Sequence, residues 1–324
     1  MEDKIKLIAG TANSELAKEI SSYLNTALTP ITIKKFNDGE TYCKIEKSVR
    51  GSHVFIIQST SPPVNENLME LLVIVDAAKR ASAKEITTVI PYYGYGRQDR
   101  KAEPREPITA KLVANLITKA GVDRVVTFDL HVDQIQGFFD IPLDNLEVMP
   151  LMVEYILDKK LKNIVVVAPD AGGTKRARRF AKLLNSSLAI IDKRRPEHGV
   201  AEVLNIIGDV KGKNAILVDD IIDTAGTIAE SAKTLIKEGV KSVYVCATHP
   251  VFSGQAVERL NDKSVEEVII TNTIFIPSNK IISKMKVISL APLLAESIKR
   301  IYDGSPMGII FDGLYDKISK KRQE

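Results

Sequence analysis

The sequence predicts an α/β protein built from two similar doubly wound parallel-sheet domains, on three observations. Short runs that are apolar throughout recur along the chain, and segments with helical spacing lie between most of them. The alternation also occurs twice, once before about residue 145 and once after it. Strands without a polar face are those of a parallel sheet covered by helices on both sides.

The strand-like runs open with Lys6-Leu7-Ile8-Ala9 and continue with Val54–Ile57, Ile86–Ile90 and Val125–Phe128. Ile164–Ala168, Ser187–Ile191, Ala215–Val218 and Val243–Ala247 follow in the second half. Between Asn67 and Arg80, Leu68, Leu71, Leu72 and Val75 recur at three and four residues and draw one apolar stripe, which predicts a helix. Pro107 suits a first helical position and Gly121 a C-terminal stop, so Pro107–Ala120 is a second helix. The boundaries expected are 1–145 for the first domain and 146–303 for the second, with 304–324 packing back on the first. Tyr92–Glu106 carries two glycines and the basic residues Arg97, Arg100, Lys101 and Arg105 but no regular pattern. An irregular segment of that length inside a compact domain is expected to be a functional lid.

Composition narrows the class. The chain has 324 residues, with 45 Lys+Arg against 41 Asp+Glu for a net charge of +4. Its hydrophobic fraction of 44% and charged fraction of 27% are those of an ordinary globular protein, which argues against disorder. Cys43 and Cys246 form no CxxC, so a disulfide scaffold or zinc finger is disfavoured and a reducing, cytoplasmic setting is expected. No signal peptide and no long uncharged apolar run occur, so no membrane partner is expected. Aromatics make up only 6% and basic clusters are short, which suits small phosphorylated ligands better than a nucleic acid.

The strongest chemical signal is Ala215–Thr227. An apolar strand ends in Asp219 and Asp220, then Asp223-Thr224-Ala225-Gly226-Thr227 turns into a helix running to about Glu238. A helix N-terminus offers unpaired N–H groups and partial positive charge to a phosphate monoester. Thr224 and Thr227 add hydroxyl donors, Ala225 and Gly226 allow close approach, and the paired carboxylates suit a sugar diol or hydrated Mg²⁺. In open α/β sheets, ligands sit outside the carboxyl ends of strands, where this motif lies. No G-x-x-x-x-G-K-[ST] occurs, which argues against a Walker-type kinase.

This stretch resembles the phosphoribosyl diphosphate-binding motif of type I phosphoribosyltransferases. Phe36–Glu40, Pro91–Arg100, Asp129-Leu130-His131 with Gln134–Phe139, and Asp192–Pro196 further resemble the ribose-phosphate pyrophosphokinase family. The resemblance runs from about Leu7 to Ala295 and its motifs fall in order. It implies a phosphoribosyltransferase-type fold and direct transfer of the β,γ-diphosphoryl group of MgATP to the 1-hydroxyl of ribose 5-phosphate, with AMP leaving. Carried over by position, Lys193 and Arg195 are the catalytic basic pair, and Arg97, Gln98, Asp38, Gly39 and Glu40 are on the ATP side. Phe36 either stacks on the base or is an ordinary buried Phe. His131 and Asp170 match metal positions. Asp223, Thr224, Ala225, Gly226 and Thr227 are expected to take the 5-phosphate, with Asp219 and Asp220 facing the ribose hydroxyls and Arg195 also contacting this substrate. The resemblance also implies a hexamer regulated by inorganic phosphate and ADP, through a site including Ser48 and Arg50.

Three departures stand out. Glu103-Pro104 occupies a lid position that is usually basic, Gly96 replaces a common Ala, and Ser305–Phe311 lacks a pair of serines. A phosphoribosyltransferase is the weaker reading, because nothing in that chemistry requires the Lys193–Pro196 motif or the Arg97–Arg100 lid. A non-catalytic regulatory homologue is also weaker, because Lys193, Arg195, Asp219 and Asp223 are all present.

Overall fold

The computed structural model describes residues 5–194 and 203–323. The chain divides into two units. The first runs to Glu147 and takes in Thr273–Phe275 and Ser289–Ile310; the second holds Val148–Asn272, Ile276–Ile288 and the chain from Phe311 onward.

In the first unit the order is β1 (Ile5–Ala9), α1 (Ser14–Leu24), β2 (Ile31–Lys35), β3 (Thr41–Ile45), β4 (His53–Ile57), α2 (Val64–Arg80), β5 (Glu85–Ile90), α3 (Thr109–Ala120), β6 (Arg124–Phe128) and β7 (Leu143–Leu146). A parallel sheet runs β1-β4-β5-β6-β7, and β2 and β3 form a separate antiparallel hairpin. A parallel bridge between Leu7 and Leu28 gives β1 a neighbour on its other side, so the winding reverses between β1 and β4. Apolar strand residues such as Val54, Ile56, Ile90 and Val125 pack with Leu71, Ile74, Val113 and Ile117 from α2 and α3 into one core.

The second unit contains α4 (Met149–Asp158), β8 (Ile164–Ala168), α5 (Thr174–Leu184), β9 (Ser187–Arg194), β10 (Val203–Ile207), β11 (Asn214–Ile222), α6 (Gly226–Lys237), β12 (Ser242–Pro250), α7 (Ala256–Leu260), β13 (Glu267–Thr271) and β14 (Met285–Ile288). Its sheet order, β10-β9-β8-β11-β12-β13-β14, reverses between β8 and β11. All pairs are parallel except β10 with β9, an antiparallel edge that the apolar runs did not announce.

α8 (Ala291–Asp303) belongs to the first unit and packs on α1, although the sequence placed it in the second domain. α9 (Gly308–Lys321) begins in the first unit, and from Phe311 onward the chain belongs to the second. Lys321 donates to Asp158 at 2.6 Å and pairs with Glu154 at 3.1 Å, both on α4 of the second unit. Two helix starts also shift. α2 begins at Val64, behind Pro63, and α3 begins at Thr109, because the N–H of Ala110 is taken by the Gln98 carbonyl at 3.1 Å rather than by a preceding helical turn. Among the described residues no helix is long and apolar enough to cross a membrane.

Candidate functional site at the β8/β11 switch point

The site is set by unequal strand lengths. The β8 ladder on β11 stops at Leu217, paired with Val167, whereas the β12 ladder continues to Ile222, paired with Pro250. β11 thus runs four residues past the predicted strand end, and its Asp219–Ile222 segment overhangs the gap left by β8. Asp220 is buried and Asp219 is partly exposed. Arg176, on the helix that follows β8, bridges them, with Nη1 3.1 Å from Asp220 Oδ1 and 3.4 Å from Asp219 Oδ1. Burial first, and Asp220 beside it second, push the Asp219 carboxyl up to about 8, while Arg176 pulls the other way. Below that value Asp219 keeps its proton and Asp220 alone balances Arg176, so a cation brought to the pair favours loss of the Asp219 proton. Lys175-Arg176 stood out in the sequence only as part of a basic cluster.

Beyond β11 the chain turns through Asp223 and Thr224 to Ala225, whose left-handed φ of 57° is unusual for a residue with a side chain. Gly226 then opens α6, and its N-cap residue, Ala225, offers no side-chain cap. Thr224 is exposed, and Asp223, Gly226 and Thr227 are half-buried. A helix N-terminus at the end of such a strand has the geometry of an anion site. Arg259, on α7, donates from Nη1 to the Thr224 carbonyl at 2.8 Å and from Nη2 to Gln255 Oε1 at 3.2 Å. No sequence motif marked Arg259.

The remaining predicted residues lie at other strand ends. Lys193 was expected just beyond a strand ending at Ile191; its backbone instead lies inside β9, paired with Leu204 of β10, because that edge pairing prolongs the strand. Arg195 lies outside the described residues. Asp170 is exposed two residues past β8, and its Oδ1 accepts from the Gly173 N–H at 2.8 Å. His131 is exposed three residues past β6. Phe36–Glu40 is the tip of the β2–β3 hairpin, closed by Phe36 N–H to Glu40 O at 2.9 Å and Gly39 N–H to Phe36 O at 2.9 Å, with Gly39 at φ 95°. Phe36 is 47% exposed, so it is not a core residue; its ring meets Tyr42 edge-on at 5.7 Å. Asp38 Oδ1 accepts from the Glu40 N–H. Ser48 and Arg50 are exposed on either side of buried Val49, in the turn before β4.

The predicted lid has two halves. Tyr92–Gly94 is buried: Tyr93 donates to the Ala110 carbonyl at 2.8 Å, and a Cβ on Gly94 would lie 2.2 Å from the Thr60 carbonyl. Arg97, Gln98 and residues 100–106 are exposed. Gln98 Oε1 accepts from the Thr109 hydroxyl at 2.6 Å, and Glu106 accepts from the N–H groups of Ala102 and Glu103.

For a metal, no group of three or more His, Cys, Asp or Glu side chains among the described residues converges on one point. Mg²⁺ needs no such cage, because it is held by one or two carboxylates, waters and substrate phosphates. Asp170, exposed with one oxygen engaged by Gly173, fits that role. An imidazole is a poor direct ligand for so hard a cation, so His131 fits only contact through water.

Residues 5–121 match the N-terminal domain of ribose phosphate pyrophosphokinase, and residues 196–312 match the phosphoribosyl synthetase-associated domain. The chain is 54% identical to the ribose-phosphate pyrophosphokinase of Bacillus caldolyticus over 311 residues, covering 96% of this chain and 99% of that one. It is 56% identical to that of Caldanaerobacter subterraneus subsp. tengcongensis over 310 residues, covering 95% and 98%. The crystal structure of phosphoribosylpyrophosphate synthetase from Mycobacterium smegmatis superposes with a TM-score of 0.89 at 43% identity, covering 93% of this chain and 99% of that chain. With two sheets of this topology and the Asp219–Thr227 loop at the second switch point, the chain belongs to the ribose-phosphate pyrophosphokinase family.

Proposed function

We propose that the β11–α6 loop seats ribose 5-phosphate for the reaction of this family. The chain is a ribose-phosphate diphosphokinase: the 1-hydroxyl of ribose 5-phosphate attacks the β-phosphorus of ATP. The new O1–Pβ bond forms as the Pα–O–Pβ bridge breaks, AMP leaves with the bridging oxygen, and the hydroxyl proton passes to solvent or base. The observation that carries the seating is the α6 N-terminus, entered through left-handed Ala225, directly beyond the Asp219–Asp220 pair.

In this reading Asp223, Thr224, Ala225, Gly226 and Thr227 surround the 5-phosphate with backbone N–H and hydroxyl donors. Asp219 and Asp220 accept from the ribose hydroxyls, which aligns the sugar and leaves the 1-hydroxyl free to attack. Lys193 and Arg195 offset the charge that develops on the transferring phosphoryl groups, and Arg195 also contacts ribose 5-phosphate. Arg97 and Gln98 hold ATP, with Phe36, Asp38, Gly39 and Glu40 on the adenine side and exposed Phe36 available to stack. Asp170 would hold Mg²⁺, which would neutralise charge on the phosphates, and His131 would contact a metal only through water.

Six copies assemble, and inorganic phosphate and ADP act at a site including Ser48 and Arg50. Exposed Ile108, Leu112 and Leu116, spaced four apart at the start and on one face of α3, support self-association. Light scattering on the purified protein measures the copy number, and a phosphate titration of the rate tests the effector.

The decisive assay follows AMP from ATP and Mg²⁺, with and without ribose 5-phosphate, for the intact chain and Lys193→Ala. AMP that requires ribose 5-phosphate and falls by about a thousandfold in the variant supports the assignment. Undiminished AMP in Lys193→Ala removes Lys193 from it.

A further inference from the structure

Three consecutive carbonyls at the end of β11 turn to the same neighbour. The Ile222 carbonyl accepts from the Phe252 N–H at 3.0 Å, Asp223 from the Ser253 N–H at 3.0 Å, and Thr224 from Arg259 Nη1 at 2.8 Å. In a regular strand, successive carbonyls alternate sides, so this run marks where β11 becomes a turn. Across a trans peptide the C=O and the following N–H point in opposite directions. Anchoring these carbonyls on the 252–259 side therefore turns the N–H groups of Asp223, Thr224 and Ala225 to the other side, as in an anion-binding nest.

The first two anchors come from backbone, which follows the β12 ladder. The third comes from one side chain, and it holds the peptide that precedes Ala225, the residue with left-handed φ. Such a conformation persists only when its surroundings over-determine it. The guanidinium also lies beside the α6 start, with Nη1 3.5 Å from the position a Cβ on Gly226 would take, and its positive charge adds to that of the helix end.

We infer that Arg259 is a positioning residue for the ribose 5-phosphate site, holding the Thr224–Ala225 peptide in the orientation that aims its N–H at the 5-phosphate. The inference rests on the reading of the β11–α6 loop as the phosphate seat. Arg259 acts through the loop and not on the reacting atoms. Its removal therefore weakens ribose 5-phosphate binding and leaves ATP binding in place.

The test is steady-state kinetics on the full-length enzyme, with KM for each substrate determined separately for Arg259→Ala, Arg259→Lys and Thr227→Ala. Arg259→Ala is expected to raise KM for ribose 5-phosphate about tenfold, the equivalent of one charge-assisted hydrogen bond, with KM for ATP within about twofold. Arg259→Lys, which keeps one donor and the charge, recovers most of that loss. Protection against thermal unfolding by ribose 5-phosphate alone is expected to weaken in Arg259→Ala and return in Arg259→Lys. If Thr227→Ala raises KM for ribose 5-phosphate and Arg259→Ala does not, the positioning role is overturned while the phosphate seat stands. If neither variant changes that KM, the seat itself is misplaced and the inference falls with it. Equal losses in both KM values and in thermal stability would make Arg259 a purely structural residue, which also overturns it.

Discussion

The two units each have a sheet that reverses direction, and the two reversal points have opposite fates. In the second unit the crevice between β8 and β11 stays open: Asp219 and Thr224 reach solvent, and the N-cap residue of α6, Ala225, offers no side-chain cap. In the first unit the matching crevice between β1 and β4 is filled by the protein itself. Glu70 of α2 accepts from the Thr11 N–H at 2.6 Å, from the Thr11 hydroxyl at 2.7 Å and from Gln58 Nε2 at 2.8 Å. Gln58 Oε1 accepts from the Ala12 N–H at 3.0 Å. Gln58, Ser59, Thr60 and Ser61 are all buried, with the Ser59 hydroxyl on the Thr273 carbonyl and the Thr60 hydroxyl on the Tyr92 carbonyl. One carboxylate thus stands ahead of α1 where a bound anion would stand ahead of α6. The difference teaches that a strand-order reversal offers a binding crevice, and that side chains arriving from elsewhere decide whether a ligand can use it.

Removing the internal anion is the largest disturbance. Glu70→Ala leaves two N–H groups and a hydroxyl without their acceptor, and it is expected to cost about 3 kcal/mol of stability, read from urea unfolding of the ligand-free protein. A loss below about 1 kcal/mol would mean that water fills the crevice as well as Glu70 does. Next in size is crowding the same place. A Cβ on Gly10 would lie 2.2 Å from Gln58 Oε1, so Gly10→Ala is expected to cost roughly 2 kcal/mol by displacing a side chain that is already fully bonded.

The open crevice predicts a pH signature instead. The folded carboxyl of Asp219 titrates at about 8, above its unfolded value of 3.8. Between those values the folded protein binds the extra proton, so stability falls as pH rises from 3.8 to about 8. Asp219→Asn removes that contribution and should flatten the pH dependence of the melting temperature over the same window. An unchanged slope would show that Arg176 already compensates the pair. The smallest effect is expected at the lid, where a Cβ on Gly96 would sit 3.1 Å from the Tyr93 carbonyl. Gly96→Ala should cost under about 1 kcal/mol and stiffen the backbone beside Arg97, which hydrogen exchange of Arg97 and Gln98 can measure.

Much of the fold was legible because its signals are local. The apolar runs became strands, α3 stops at Gly121 with φ 112°, and the Asp219–Thr227 order of strand, acids and turn became the rim of the crevice. Strand ends were less legible. β9 and β11 run past their apolar cores because β10 and β12 offer backbone partners there, which side-chain pattern does not reveal. Phe36 illustrates another limit, since an isolated aromatic reads equally as core or surface until the hairpin that carries it is seen to project its tip into solvent.

Neighbours a few residues apart enforce helical and strand period, glycine stops, and the turn that follows the paired acids. The tertiary structure alone decided the pairings across distance. Arg176 meets Asp219 over 43 residues, Arg259 meets Thr224 over 35, and Glu70 meets Thr11 over 59. It also decided that the tail crosses to α4 through Lys321 and Asp158. Each of these contacts pairs common charged or polar groups with no distinctive spacing, and each forms only after sheet order and helix packing have brought the partners together. Backbone preferences are written locally, whereas the contacts that fill one crevice and arm the other follow from closing the whole chain.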